Sequence, residues 1–178
     1  MTAVDETLVL GWGNPGRLDD GLGPALVQSL AALRLPRVVV DSDYQLTMED
    51  AAEVARYRRV LFVDADRTGP APFSLRRLRP ALEGSSFSTH SISAGAVLAL
   101  SRDLFGAEPE AWLLGIRGYE FDEFGEGLSG GAHANLAQTV TFVRSAIEAE
   151  RFEDVLNRSS HADNGTEHEG KPCPTHLP

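Results

Sequence analysis

The sequence predicts an α/β fold, a three-layer sandwich with a mostly parallel, twisted sheet of about five strands and helices on both faces. Three observations carry this. Short apolar runs rich in β-branched residues alternate with stretches of helical periodicity along the chain. The apolar fraction, 42% of 178 residues, is enough to bury a real core. The length fits one domain of about 150 residues with little left over.

The elements follow in order. Leu8 to Trp12 is an apolar strand that runs into glycine-rich sequence. Leu22, Leu26, Leu30 and Leu33 recur at helical spacing until Pro36 ends the pattern. Arg37 to Asp41 (RVVVD) reads as the second strand. Thr47 followed by Asp50 resembles a helix cap with an acidic third position, opening a helix to about Tyr57. Val60 to Val63 (VLFV) is a buried strand, and Phe73 to Leu78 a weaker, partly exposed one. Ile92 to Leu104 forms a helix, Trp112 to Ile116 a strand, and His133 to about Leu156 a long amphipathic helix.

The domain is therefore expected to span residues 1–156, followed by a disordered tail at 157–178 that cannot offset its ordering entropy by burial. The tail holds His161, His168, His176 and Cys173, but their irregular spacing among Gly and Pro argues against a metal site. One cysteine cannot form an internal disulfide. The net charge of −10 works against nonspecific binding to nucleic acid or to anionic membrane surfaces. The start of the chain carries Asp5 and Glu6 where a signal peptide needs Lys or Arg, and no apolar run approaches the roughly 18 residues of a membrane span. A cytoplasmic protein is expected, without a nucleic-acid or membrane partner.

In open α/β sheets, functional residues collect where strands end and loops begin. The first such loop, GWGNPG at 11–16, satisfies G-x-G-x-x-G, and Asp41 lies about where a ribose-binding acid belongs. A dinucleotide-binding oxidoreductase is one reading. Against it, Pro15, Gly16 and Arg17 delay the helix past Gly21, and Asp19 and Asp20 place negative charge where phosphates would sit. GNPG also opens peptidyl-tRNA hydrolases, but LDDG replaces the stretch that supplies their catalytic histidine.

What the loop does offer is paired carboxylates. For Asp19, a helix-dipole role and a functional role stand side by side. Asp64 ends the strand VLFVD, and an acid directly after a buried strand is more often a ligand than a solvated charge. His90, in FSTHSIS, precedes the helix at Ile92. Two carboxylates and one imidazole, from Asp20, Asp64 and His90, suit a first-row divalent ion that polarises a carbonyl or a water.

At these residues a resemblance enters. The run GWGNPGRLDDGLGP, the strand ending VDAD and the stretch STHSIS closely resemble the nickel–iron hydrogenase maturation endopeptidases. DYQLTMEDA (43–51) and LLGIRGYEFDEFGEGLS (113–129) look like the branch that serves bidirectional, NAD-coupled hydrogenases. The similarity covers about residues 8–150. It implies an endopeptidase, grouped with the aspartic type, that removes a C-terminal extension from the hydrogenase large-subunit precursor after nickel insertion. It further implies that Asp20, Asp64 and His90 are the metal-binding and catalytic residues, although many relatives carry Glu at the position of Asp20. The nickel is expected to be the precursor's own, with no organic cofactor, and a monomer is expected. Asn14, Asp19, Tyr44 and Gln45 are the candidate substrate-binding residues. A non-catalytic nickel or precursor chaperone remains as a further alternative.

Overall fold

The computed structural model describes residues 4–81 and 92–149. Strands β1 (Val4–Trp12), β2 (Val38–Asp43), β3 (Tyr57–Asp66), β4 (Phe73–Leu78) and β5 (Glu110–Arg117) form a five-stranded sheet in the order β2-β1-β3-β5-β4. All neighbours are parallel except β4, which runs antiparallel along the edge of β5. Helices α1 (Leu22–Leu33) and α4 (Gly130–Glu148) cover one face, and α2 (Asp50–Val54) and α3 (Ala94–Phe105) the other. This is the three-layer sandwich the alternating pattern predicts.

Period-two alternation divides the core. Val9, Leu61, Val63, Trp112, Leu114 and Ile116 pack beneath α1 and α4. Leu8, Leu10, Val60, Phe62 and Ala111 pack beneath α2 and α3. Phe62 and Leu61 are both wholly buried although they point to opposite faces, which is why VLFV shows no polar alternation. Each such side chain contributes about 1.5–3 kcal/mol by leaving water.

Several element boundaries differ from the sequence expectation; β1 begins at Val4, and β3 runs from Tyr57 to Asp66, so Asp64 lies within the strand and not directly after it. The helix opening at Thr47 does not run to Tyr57, because Tyr57 to Arg59 already belong to β3 and leave α2 only five residues. Nor is Thr47 the cap: the N-cap is Glu49, without a side-chain cap bond, although the Thr47 N–H does donate to the Asp50 carboxylate at 2.7 Å. Helix α4 starts at Gly130, not His133, because the Ser129 hydroxyl accepts from the Ala132 N–H and sets the first turn. The expected tail at 157–178 lies outside the described residues.

The connections fix where a site can form. β1 leads through α1 on one face to β2, whereas β2 leads through α2 on the other face to β3. The chain thus departs in opposite directions from the carboxyl ends of β1 and β3. Such a switch point leaves a crevice that a doubly wound sheet cannot fill with its own connections.

Candidate functional site

Two of the candidate residues meet at that crevice. Leu10 pairs with Phe62 and Gly11 with Val63, so the ends of β1 and β3 bring Trp12 and Asp64 side by side. The Trp12 indole N–H donates to the Asp64 carboxylate, and the Ala65 N–H donates to it at 2.8 Å. These donors do not offset the burial. Burial pushes the Asp64 carboxyl up to about 7, against the two hydrogen bonds that lower it, and the negative charges of Asp20 and Asp66 add to the rise. Asp20 is therefore close enough to act on Asp64 electrostatically. Neither carboxylate forms an ion pair among the described residues.

The glycine loop delivers Asp20 by a closed set of hydrogen bonds. The Asn14 N–H donates to the Asp20 carboxylate at 2.9 Å, and the Asn14 side-chain oxygen accepts from the Gly16 N–H at 2.9 Å. Gly13 stands at φ 137°, and a Cβ there would collide with the Asp20 carbonyl oxygen. Only glycine lets the loop fold back this tightly. Leu18 sits at φ 52°, an unfavourable conformation for a bulky residue. That strain is held by its own N–H, which donates to the Gly125 carbonyl at 3.1 Å.

This geometry corrects the dinucleotide reading of G-x-G-x-x-G. A phosphate cradle needs free backbone N–H groups. Here each N–H from Gly13 to Asp20, apart from the imino nitrogen of Pro15, already donates within the protein. A 3-10 turn, Leu18–Gly21, separates the glycines from α1. At the helix start Gly23 lies so close to the Trp12 backbone that a Cβ would clash.

Asp19 is likewise not a substrate-binding residue. Its side chain is 0% exposed and accepts from Tyr119 N–H (2.7 Å), Glu120 N–H (3.0 Å), Ser129 N–H (2.7 Å) and the Ser129 hydroxyl (2.8 Å). Burial alone would raise its pKa, but these four donors together hold it below the usual carboxylate range. Its partners lie about a hundred residues away, at Tyr119, Glu120 and Ser129. It fastens the glycine loop to the segment 117–129.

Beside Asp64 opens a groove of about 770 Å³. Trp12, Asp64 and Leu113 lie along it, with Gln45 and Leu46 from the loop after β2, Arg76 to Leu78 from β4, Arg79 just after it, and Ile92 to Gly95 at the start of α3. Gln45 is thus at the groove, as expected of a substrate contact. Tyr44 is 67% exposed and faces a separate small hollow with Gly13, Pro15 and Pro24. Asp20 and Asn14 do not line the groove. His90 lies outside the described residues, while Ile92, two residues on, lines the groove. Among the described residues no three His, Cys, Asp or Glu side chains gather as a metal cage. Sequence reasoning missed Trp12 and the arginines of β4. Trp12 carried a usable signal, a large aromatic with a donor at the end of a strand that opens onto a loop.

No protein-family model matches this chain, and no curated protein matches its sequence. Solved structures do match its fold. The hydrogenase maturating endopeptidase HybD from E. coli superposes with a TM-score of 0.68 at 24% identity, covering 82% of this chain and 93% of that one. The [NiFe] hydrogenase maturation protease HycI from Thermococcus kodakarensis gives 0.62 at 20% identity, covering 80% and 92%. A hydrogenase 2 maturation peptidase from a Thaumarchaeota archaeon gives 0.59 at 23%, covering 81% and 99%. At these identities the likeness is one of fold.

Proposed function

We propose that this protein is an endopeptidase that removes the C-terminal extension of a nickel–iron hydrogenase large-subunit precursor. The observation that carries the reading is a half-buried Asp64 at the switch point of the sheet, beside an open groove and close enough to Asp20 to feel its charge. The fold it shares with maturation proteases supports it, as do the sequence stretches GWGNPGRLDDGLGP and STHSIS. No helix among the described residues is long and apolar enough to cross a membrane.

The precursor's nickel is the recognised feature. Two neighbouring carboxylates with no cation between them repel each other, and a divalent ion relieves that repulsion. Asp20 and Asp64, with His90 as the nitrogen donor, are the residues that would hold the precursor's ion. Three such donors, none of them a thiolate, give modest affinity, which suits an ion that arrives and leaves with its substrate. The scissile bond is thereby oriented against the carboxylates, one of which takes the proton from the attacking water. Gln45 supplies both a donor and an acceptor for the backbone of an extended peptide along the groove. The aspartic-type grouping, a monomeric cytoplasmic enzyme, and a substrate from a bidirectional NAD-coupled hydrogenase belong to the same proposal. The last rests on DYQLTMEDA and LLGIRGYEFDEFGEGLS.

The test is to incubate the protein with nickel-loaded and with metal-free precursor and to measure product mass over time. Cleavage of the loaded form alone is expected. It should fall by about 100-fold or more in Asp20→Ala, Asp64→Ala and His90→Ala proteins that still fold. Equal cleavage of metal-free precursor would remove the nickel step, and precursor binding without cleavage would reduce the protein to a chaperone.

A further inference from the structure

The groove is chemically lopsided. Asp64 and Trp12 stand at one end, and the other is bordered by Arg76 and Arg77 on the edge strand β4 and by Arg79 just beyond it, in a chain whose net charge is −10. Arg77 stacks over the Trp112 ring, 4.7 Å from its centroid. Arg76 and Arg79 are exposed and form no hydrogen bond or ion pair among the described residues. We infer that Arg76 and Arg79 receive an acidic stretch of the substrate peptide, a few residues from the bond that is cut. This rests on the endopeptidase reading of the same groove.

Sheet register gives the spacing. Asp64 pairs with Gly115, which pairs with Ser74, and Arg76 follows two residues along β4. With strands about 4.8 Å apart and a rise of about 3.3 Å per residue, the Arg76 backbone lies roughly 12 Å from that of Asp64. An extended peptide covers that span in about three or four residues. Arg76 and Arg79 are three residues apart, one in β4 and one just past its end, so they match side-chain carboxylates in series better than a single terminal carboxylate. A polyanion running the whole groove would meet the Asp64 carboxylate at its other end, so a nucleic-acid strand does not fit. A peptide neutral at the cut and acidic beyond it does.

Two measurements test this. Decapeptides blocked at both ends, identical except for an adjacent Asp pair, Asn pair or Lys pair, are titrated against the full chain at low salt. Tryptophan fluorescence is the readout, because Trp12 borders the groove. The Asp peptide is expected to bind at least tenfold tighter than the other two, and Arg76→Gln/Arg79→Gln should abolish that preference with an unchanged circular dichroism spectrum. Equal binding of the three peptides, or a preference that survives the double substitution, overturns the inference. So does a preference that appears only when the C-terminus is left free, or an oligodeoxynucleotide that competes as well as the Asp peptide. With nickel-loaded precursor, Arg76→Glu/Arg79→Glu should raise KM about tenfold or more with a much smaller change in kcat. If the wild type cleaves precursor and KM does not move, the inference fails while the endopeptidase reading stands. If the acidic preference holds and no precursor is cleaved, the endopeptidase reading fails instead.

Discussion

Asp19 and Asp64 are both withdrawn from water at the carboxyl edge of the sheet, yet their surroundings oppose each other. Asp19 has four donors, is wholly buried and is held below the usual carboxylate range. Asp64 has two donors and two acidic neighbours, and is pushed up to about 7. Burial costs the same kind of free energy in both places. The difference lies in how fully the surrounding backbone compensates it. A saturated carboxylate fixes structure, whereas an under-satisfied one at the mouth of a groove is available to a cation or a proton.

The largest effect should come from removing the saturated acid. Asp19→Ala leaves three backbone N–H groups without an acceptor and unfastens the glycine loop from segment 117–129, at a cost of about 3–5 kcal/mol in urea denaturation. A loss under about 1 kcal/mol would mean that the four hydrogen bonds are not holding the loop. Removing the charge at Asp64 should act in the other direction and depend on pH. Its raised pKa means that wild-type stability is undiminished below about pH 4, where the unfolded carboxyl is also protonated. It falls as pH rises to about 7 and is level beyond. Asp64→Asn escapes that fall. It should gain on the order of 2 kcal/mol over wild type between pH 4 and 8, less than the full shift implies because Asp64 is partly exposed. Parallel stability curves would show that Asp64 is not destabilised by its charge. Asp19, with its depressed pKa, gives the opposite profile: its contribution is present above about pH 4 and is lost as pH falls further. The smallest effect is expected for Ser129→Ala, which removes one of the four donors to Asp19 and the cap of α4 together, about 1–2 kcal/mol by thermal or chemical melting.

The same contrast shows how far the sequence could be read. Apolar runs such as VLFV announce themselves because both faces of β3 are covered, and the leucines at 22, 26 and 30 fall on the buried stripe of α1. The limits of α2 and α4 were less legible. One is cut short when β3 begins at Tyr57, and the other is set by a serine three residues before the expected start. At the site, Asp20 and Asp64 stood out as acids at strand and loop ends. Nothing local distinguished Asp19 from Asp20, because the partners of Asp19 come from residues 119, 120 and 129. Arg76 was invisible as a groove residue for a related reason: only the antiparallel pairing with β5, which sets it opposite Leu113, brings it to the groove.

Sequence by itself determined the layers and the approximate elements, since hydrophobic periodicity is a local property that each segment carries alone. It also marked the glycine loop and the acid near the end of β3, because tight turns and strand ends constrain residue type directly. Which of two adjacent aspartates is sealed and which faces its neighbour, and which end of the groove is basic, was decided only by the tertiary structure. Those outcomes depend on donors and charges supplied by segments distant in the chain, and a carboxylate's state follows from its surroundings as much as from its own chemistry.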